Sequence, residues 1–356
     1  MLSAAAVRAL RLNRQCLLSP AGEQQYDELF RFMSPVPPVC WSCPGDPPRL
    51  PLHVDFDDGA YNDARRGRRE IIKGRFQGGT LGYVQADELE LFACAYRKDA
   101  PMDNDSLRML ELLEHEGPLT IGMIREITGL PAKQITPILH KLQQTFLVYE
   151  DQIDSAWDRG WYLLAQEFPG CDTAHYSRVE ALRRLIPRFA YLNGFFTLPM
   201  LRDYFRLPLR DLKAAVSVME EEGELLAQFL SQPDRSVAPG WILPQDEPLL
   251  AKDTDIPQLT VCLQRNDFLV RSFASELKER YTHPDWEALF YFCIDGALCG
   301  AVLGKFRQGP FDLEDVALSL NEQQATARKQ EILSAVYQVN DPQKSPLKRY
   351  CGLPLR

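Results

Sequence analysis

The chain has 356 residues, 45% of them hydrophobic and 25% charged, and carries a formal net charge of −9 at pH 7. This length exceeds what one core usually organises, so we expect two or three domains. The acidic balance argues against a whole-surface affinity for nucleic acid, because phosphate contacts depend on Lys and Arg. Any nucleic-acid-binding face must therefore be local. No apolar run approaches the roughly 18 residues that span a bilayer, so no membrane segment is expected.

The cysteines and the absent motifs limit the chemistry. Nine cysteines at irregular spacing cannot all pair within one chain, which favours free thiols and a cytoplasmic location. Cys40 and Cys43 form a single CxxC, and no second ligand pair completes a zinc site. The sequence contains no Walker A, GxSxG, HExxH or dinucleotide motif, so we expect neither a metal nor a cofactor. The oligomeric state stays open.

Residues 1–104 are expected to form an N-terminal helical and mixed domain. Arg8, Arg11 and Arg14 lie in a stretch without acidic residues, which is also typical of a mitochondrial presequence. The interpretation that we adopt is a helix of the fold, with Ser3 as its N-cap. The proline-rich residues 34–52 exclude a regular helix or central strand. A strand over 79–84 is expected to lead into a helix with acids at its start.

The densest positive charge lies between residues 65 and 75, where six cations are opposed only by Glu70. Such a run is often merely a solvated face. The adjacent glycine-rich segment, residues 74–82, favours a phosphate-binding role, because glycines let backbone amides approach phosphate closely. The predicted nucleic-acid contacts of this region are Arg65, Arg66, Arg68, Arg69, Lys73, Arg75 and Gln77.

One unit is written twice, in residues 105–163 and 177–243. Each copy has the apolar periodicity of three helices with a tight turn, followed by two short strands. This pattern predicts tandem winged helix-turn-helix modules, which we place in domains 105–176 and 177–256. The third helix of such a module normally enters a nucleic-acid groove.

The third helix of the first copy has its apolar stripe centred on Ile135. A 100° step per residue places polar donors on the opposite face, around Pro137 and Gln144. In the second copy the equivalent face ends in three acids, residues 220–222, which would repel a phosphate backbone. We therefore expect the first copy to lie nearer to nucleic acid and the second to be mainly structural. The predicted contacts from the first copy are Lys133, Thr136, His140 and Lys141.

Residues 257–356 change to strand patterns, over 260–263, 289–295, 298–306 and 316–320. Asp295 and Gly296 are typical of a two-residue hairpin turn. A helix over 322–339 precedes a short basic tail. The expected fold class is α+β: tandem winged helix-turn-helix modules followed by a C-terminal β-rich half-barrel domain with a terminal helix.

The order of these elements resembles the winged-helix DNA glycosylase superfamily of the AlkZ and YcaQ type. Residues 77–82 resemble that family's Arg-Gly-Thr-Leu-His segment. The stretch ending at Asp267 and Leu269 resembles its Leu-Leu-Pro-x-Phe-Asp-x-x-Leu segment. The resemblance covers most of the chain and implies a protein that acts on double-stranded DNA, releasing alkylated or crosslinked bases.

The family's catalytic signature, Gln-x-Gln or Gln-x-Asp shortly after the first helix, is absent here. Proline-rich sequence in residues 33–48 replaces it. Gln85 and Asp87 spell Gln-x-Asp, but they follow the Gly-Thr-Leu strand and also suit a helix start. Asp267 is a further weak catalytic candidate, as are the acids at positions 55, 57 and 58. Whether the chain is an enzyme is therefore left open.

Two alternatives to a glycosylase-like DNA-binding protein remain. One is a noncatalytic winged-helix regulatory or scaffold factor, which the missing glutamine pair supports. The other is a set of winged helices that mediate only protein contacts, which the acidic net charge permits.

Overall fold

The computed structural model describes residues 2–40, 45–151, 159–231, 237–252, 254–256, 258–307 and 311–355. In these ranges the chain is a mixture of helices with small antiparallel sheets. The coarse α+β prediction is therefore confirmed. None of the helices in this part of the chain has the length and apolar character needed to cross a bilayer.

The N-terminal region contains four helices and one hairpin. The Ser3 side chain accepts a hydrogen bond from the amide of Ala6, so the predicted N-cap is confirmed. The described part of the proline-rich segment 34–52 contains no helix or strand, although Val36 forms one antiparallel bridge to Tyr83. The elements are α1 (Ala4–Arg14), α2 (Glu23–Met33), α3 (Asp58–Gly67), β1 (Ile71–Phe76), β2 (Thr80–Gln85) and α4 (Leu89–Tyr96).

The first repeated unit has three helices followed by two paired antiparallel strands, which is the element order that the sequence predicted. Its loop residues 152–158 lie outside the described ranges. Pro137 lies inside the third helix, where it removes one backbone donor. The elements are α5 (Asn104–Glu116), α6 (Ile121–Thr128), α7 (Ala132–Gln144), β3 (Val148–Asp151), β4 (Gly160–Leu163) and the short α8 (Leu164–Glu167).

The second repeated unit has the same order. Ser177 and Glu180 form a reciprocal capping box at the start of its first helix. The elements are α9 (Arg178–Asn193), α10 (Leu198–Phe205), α11 (Leu209–Glu221), β5 (Leu226–Ser231), β6 (Val237–Ile242) and the short α12 (Glu247–Leu250).

The C-terminal region is built on an open four-stranded antiparallel sheet, where a half-barrel was expected. The predicted hairpin turn is confirmed, with φ of 49° at Asp295 and 75° at Gly296. The prediction of one continuous terminal helix is wrong, because two helices meet at Arg328. The Arg328 guanidinium contacts Asp295 at 2.7 Å. The elements are β7 (Thr260–Gln264), α13 (Phe268–Ser272), α14 (Ala274–Arg280), β8 (Glu287–Ile294), β9 (Ala297–Lys305), β10 (Asp312–Leu318), α15 (Glu322–Ala327), α16 (Lys329–Val339), β11 (Arg349–Tyr350) and β12 (Leu353–Pro354), and the sheet order is β10-β9-β8-β7.

The helices of the two repeated units belong to different apolar clusters, although Tyr149 and Tyr162 from the strands of the first unit join the cluster of the second. The helices of the first unit enclose their own cluster around Ile135, Leu139 and Trp161. Those of the second unit join one large cluster with α2, the β1–β2 hairpin and α4, and Phe268 from α13 also belongs to it. The second unit is thereby packed into the middle of the molecule.

Candidate nucleic-acid interface

The basic run lies on α3 and β1, and most of its charge is paired with acids. Arg65 and Arg66 are 3% and 9% exposed, and Lys73 is 7% exposed. Arg66 contacts Asp63 at 2.5 Å, and Arg65 contacts Asp27 at 3.2 Å. These three predicted contacts are therefore buried and have partners within the fold.

The other cations of the run are also paired with acids, except Arg75. Arg68 forms a two-bond ion pair with Glu70, and Arg69 contacts Glu167 and Asp151. Lys73 lies 3.3 Å from the buried Glu150, which Arg159 also contacts. Burial alone would raise the pKa of Glu150, but Lys73 and Arg159 outweigh it and lower that pKa. Much of the run therefore stabilises packing between α3, β1 and the first unit.

Arg75 differs, because its partners are uncharged. Its guanidinium donates to Gln143 at 2.7 Å, to the Gly79 carbonyl at 3.1 Å and to His140 Nε2 at 2.8 Å. A His nitrogen that accepts from Arg is unprotonated, so the proton of His140 is on Nδ1. Burial and then Arg75 lower the pKa of His140, which agrees with a neutral ring. His140 is thus held as a neutral donor on α7.

The other predicted contacts on α7 are placed as follows. Lys133 is exposed, and Thr136 is half-buried beside the exposed Pro137. Lys141 forms an ion pair with Asp103 at 2.6 Å, which neutralises it. The face predicted from helical periodicity therefore exists, with one exposed cation and a neutral His.

The tip of the β1–β2 hairpin joins three parts of the chain. Gln77, Gly78 and Gly79 have positive φ values of 29°, 76° and 89°. The side-chain carbonyl oxygen of Gln77 accepts from Arg271 in α13. A Cβ built on Gly78 would lie 3.3 Å from Arg206 Cδ, and one built on Gly79 would lie 3.6 Å from Gln144 Nε2. The tip thus contacts both repeated units and the C-terminal region.

An open groove adjoins this tip, between α10 and α14, and the sequence did not predict it. Arg202, Arg206 and Lys278 are exposed along it. The wall also holds Asp203, whose carboxylate is buried and accepts both the amide and the hydroxyl of Ser275, at 2.7 and 2.6 Å. The surface charge of the groove is therefore positive.

The pairing of these three cations is weak. Arg202 lies 3.5 Å from Asp203, which is its sequence neighbour. Arg206 donates to the Thr80 hydroxyl at 3.4 Å. Across the described ranges, neither Arg206 nor Lys278 has a carboxylate within ion-pairing distance. Arg202 is on α10, Arg206 directly follows that helix as its C-cap, and Lys278 is on α14, 72 or more residues later. Neither helix alone therefore forms a basic cluster that sequence inspection would detect.

The catalytic candidates lie in two different pockets. Gln85 and Asp87 line one pocket, and Asp267 lines another. The Gln85 amide donates to the Asp27 carbonyl at 2.7 Å, and Asp87 pairs with Arg31 at 2.8 Å. Each of the two therefore has a structural partner, and the structure does not bring them together with Asp267.

Asp267 caps α13 and forms a buried pair with His53. One carboxylate oxygen accepts the Leu269 amide at 2.8 Å, and the other lies 2.7 Å from His53 Nε2. His53 Nδ1 lies 2.5 Å from the Gln15 carbonyl, so both ring nitrogens face acceptors and both must carry protons. Burial alone would lower the pKa of His53, but Asp267 and the Gln15 carbonyl outweigh it and raise that pKa.

The proline-rich segment packs against the Asp267 pocket. Val36 and Pro37 line it, together with Arg271 and Asn266. The Pro38 carbonyl accepts from Asn266 at 3.0 Å, and the Cys40 amide donates to Gln264 at 3.1 Å. In residues 35–38 no side chain carries a polar group. This wall of the pocket therefore offers no side chain that could activate water.

The candidate metal motif falls mostly outside the described residues. Cys43 is not described, whereas the Cys40 sulfur accepts from Arg265 Nε at 2.7 Å. Among the side chains that the structure describes, no three His, Cys, Asp or Glu residues are grouped so that they could hold a metal ion.

Comparisons with known proteins concern the fold. No protein-family model matches the chain, and no curated protein sequence matches it. Among solved structures, the chain is similar to the Streptomyces sahachiroi DNA glycosylase AlkZ, with a TM-score of 0.68, 14% sequence identity and 100% of both chains covered. At this identity the likeness shows an AlkZ-like fold over the whole length.

Proposed function

We propose that this chain is a DNA-binding protein of the glycosylase type, which binds duplex DNA in the groove between α10 and α14. The observation that carries the proposal is that two exposed cations, Arg206 and Lys278, meet at one open groove and have no carboxylate within ion-pairing distance among the described residues. Cations left unpaired at an open groove are suited to phosphate contacts.

We keep the four domains expected from the sequence, which are residues 1–104, 105–176, 177–256 and 257–356. The two repeated units act as winged helix-turn-helix modules. Lys133, Thr136 and His140 on α7 add contacts beside the hairpin tip, with His140 as a neutral hydrogen-bond donor. The AlkZ-like fold supports alkylated or crosslinked bases as the damage that is recognised.

Binding is tested with a labelled duplex across a range of salt concentrations. The triple variant Arg202→Ala/Arg206→Ala/Lys278→Ala is expected to weaken binding about tenfold or more at low salt. It should also flatten the dependence on salt by about one unit of slope for each phosphate that the protein no longer neutralises. Arg307→Ala, which removes an exposed cation paired with Asp312, is the matched control and is expected to bind as the unchanged chain does. Equal binding by the triple variant would contradict the groove assignment.

Catalysis is tested separately, by release of bases from alkylated DNA and by unhooking of crosslinked strands. An enzyme leaves abasic sites, whereas a binding protein leaves every base attached to its sugar. The second candidate function is therefore noncatalytic recognition of damaged DNA. The observation that favours it is that residues 33–48, the region expected to carry the catalytic signature, contain no Gln-x-Gln or Gln-x-Asp.

A further inference from the structure

Arg271 is a buried guanidinium whose hydrogen-bond and ring partners are uncharged. It is 7% exposed, on α13. Its Nη1 donates to the Gln77 side chain, its Nη2 donates to the Pro35 carbonyl at 3.3 Å, and its carbon lies 4.7 Å from the centroid of the Tyr204 ring. Within the described part of the chain, its Nε has no hydrogen-bond partner. A charge buried in this way is costly unless a counter-charge joins it.

A second buried arginine shows what full pairing looks like. Arg14, whose side chain is 9% exposed, holds Asp246 through two hydrogen bonds at 2.5 and 2.8 Å and also donates to the Tyr191 carbonyl. Arg271 has no such carboxylate within 4.0 Å among the described residues. The acid in its pocket wall, Asp267, is already matched by the protonated His53.

Arg271 lines a narrow pocket that opens beside the proline-rich segment. Asn266 and Gln264 supply amide groups to the wall, and Arg49, which is exposed, lies at the same pocket. The free space inside is large enough for about one water molecule. That is the size of a single oxygen atom, so a larger anion can place one oxygen inside and keep the remainder at the mouth.

We propose that this pocket is an oxyanion site, in which Arg271 and the wall amides bind one oxygen of a phosphate group. Arg is the side chain best suited to this task, because its planar donors match phosphate oxygens and it stays charged when buried. Arg49, an exposed cation of the same pocket that also contacts Asp57 at 3.4 Å, adds positive charge for the part of the anion that stays at the mouth. A phosphodiester of DNA and free inorganic phosphate present the same oxygens, and only the first of these sources rests on the proposed function.

The test uses thermal unfolding of the full chain in inorganic phosphate, against sodium chloride at equal ionic strength. We expect a saturable rise in Tm that is specific to phosphate. Arg271→Gln is expected to abolish this rise. Arg14→Gln, the matched buried control, is expected to lower the starting Tm and to keep the rise. No phosphate-specific rise in the unchanged chain would overturn the proposal, as would an undiminished rise in Arg271→Gln.

A second variant guards against misfolding. If Arg271→Gln does not fold, Asn266→Ala removes one wall amide and is expected to raise the phosphate concentration at half-effect, and an unchanged midpoint would overturn the proposal.

The source of the anion is resolved by competition. Inorganic phosphate displaces duplex DNA beyond the effect of matched chloride if a phosphodiester is the natural occupant, and does not if free phosphate is. The triple groove variant separates this site from the proposed function. It is expected to bind DNA about tenfold or more weakly at low salt and to keep the phosphate-dependent rise in Tm.

Discussion

The two repeated units share an order of elements but differ in what surrounds them. The helices of the first unit, α5 to α7, enclose a separate core that includes Leu139 at 0% exposure. The helices of the second unit pack around Phe189, whose ring contacts Phe196, Tyr204, Phe205 and Phe268. The helices of the first copy therefore enclose a core of their own, although its strands add Tyr149 and Tyr162 to the central cluster, whereas the helices of the second copy form the centre of the molecule. Sequence periodicity specifies a module, and its neighbours decide its role.

The largest expected effect is on stability. Phe189→Ala should lower the free energy of unfolding of the whole chain by about 3–5 kcal/mol, because it opens a cavity in the shared core. Leu139→Ala should cost about 2–5 kcal/mol, confined to the first unit. Hydrogen exchange measured by mass spectrometry distinguishes the two. If Leu139→Ala accelerates exchange in α9 to α11 as much as in α5 to α7, the two units do not differ in the way described.

Binding gives the second prediction. The double variant Arg206→Glu/Lys278→Glu should weaken duplex binding by more than about tenfold at low salt, because it reverses two groove charges. Lys133→Glu on α7 should weaken it by a smaller factor, since it is the exposed cation among several neutral groups on that face. Titration with a labelled duplex measures both. A larger loss for Lys133→Glu would move the main contact to the first unit, as the sequence alone suggested.

Helix caps give a smaller effect. Ser177→Ala removes half of the capping box of α9 and should lower the global free energy of unfolding by about 1 kcal/mol. Thr120, whose hydroxyl accepts the Met123 amide at 3.2 Å, caps α6. Thr120→Ala should cost about the same, but only in local opening of the first unit. Urea unfolding together with hydrogen exchange checks the contrast, and a global loss of stability from Thr120→Ala would refute it.

The smallest net effect is that of pH, because two histidines act in opposite directions. His53 has a raised pKa in the folded chain, so its contribution is complete below about 6.5 and is lost as the pH rises through that folded-state pKa. His140 has a lowered pKa, so its contribution is complete above about 6.5 and is lost as the pH falls through the folded-state pKa.

The measurement is hydrogen exchange at about pH 5.5 and about pH 8, on either side of the ordinary His pKa and corrected for intrinsic rates. The first unit should open more readily at the lower pH and the central body at the higher pH. His140→Gln should remove the first change and leave the second, and His53→Gln should do the reverse. A single common pH dependence in both regions would contradict the opposed signs.

Much of the fold could be predicted from the sequence, because it depends on local signals. Ser3 and the Asp295–Gly296 turn were identified from residue type alone, and the apolar periodicity located the helices of both units. The break at Arg328 was not predicted, and there the Arg328 side chain contacts Asp295 in the distant β8–β9 turn, a contact that local sequence does not reveal.

The site was harder to predict for the same reason. The acids that pair with the basic run are distant in sequence: Glu150 lies 77 residues after Lys73, and Glu167 lies 98 residues after Arg69. A run of charged residues is visible in the local sequence, whereas the exposure of its side chains depends on distant residues that pack against them in the fold. Arg206 and Lys278 could not be predicted as a pair, because they are 72 residues apart and the groove exists only once α10 and α14 meet.

The three-residue tip of the β1–β2 hairpin has a consequence for how the molecule tolerates insertions. Gln77 accepts a hydrogen bond from Arg271 of the C-terminal region. Gly78 lies beside Arg206 of the second unit, and Gly79 lies beside Gln144 of the first unit. An insertion of one residue in this turn would displace all three contacts at once, whereas surface loops normally accept such insertions. The length of this tight turn is therefore constrained by the three parts of the protein that meet there.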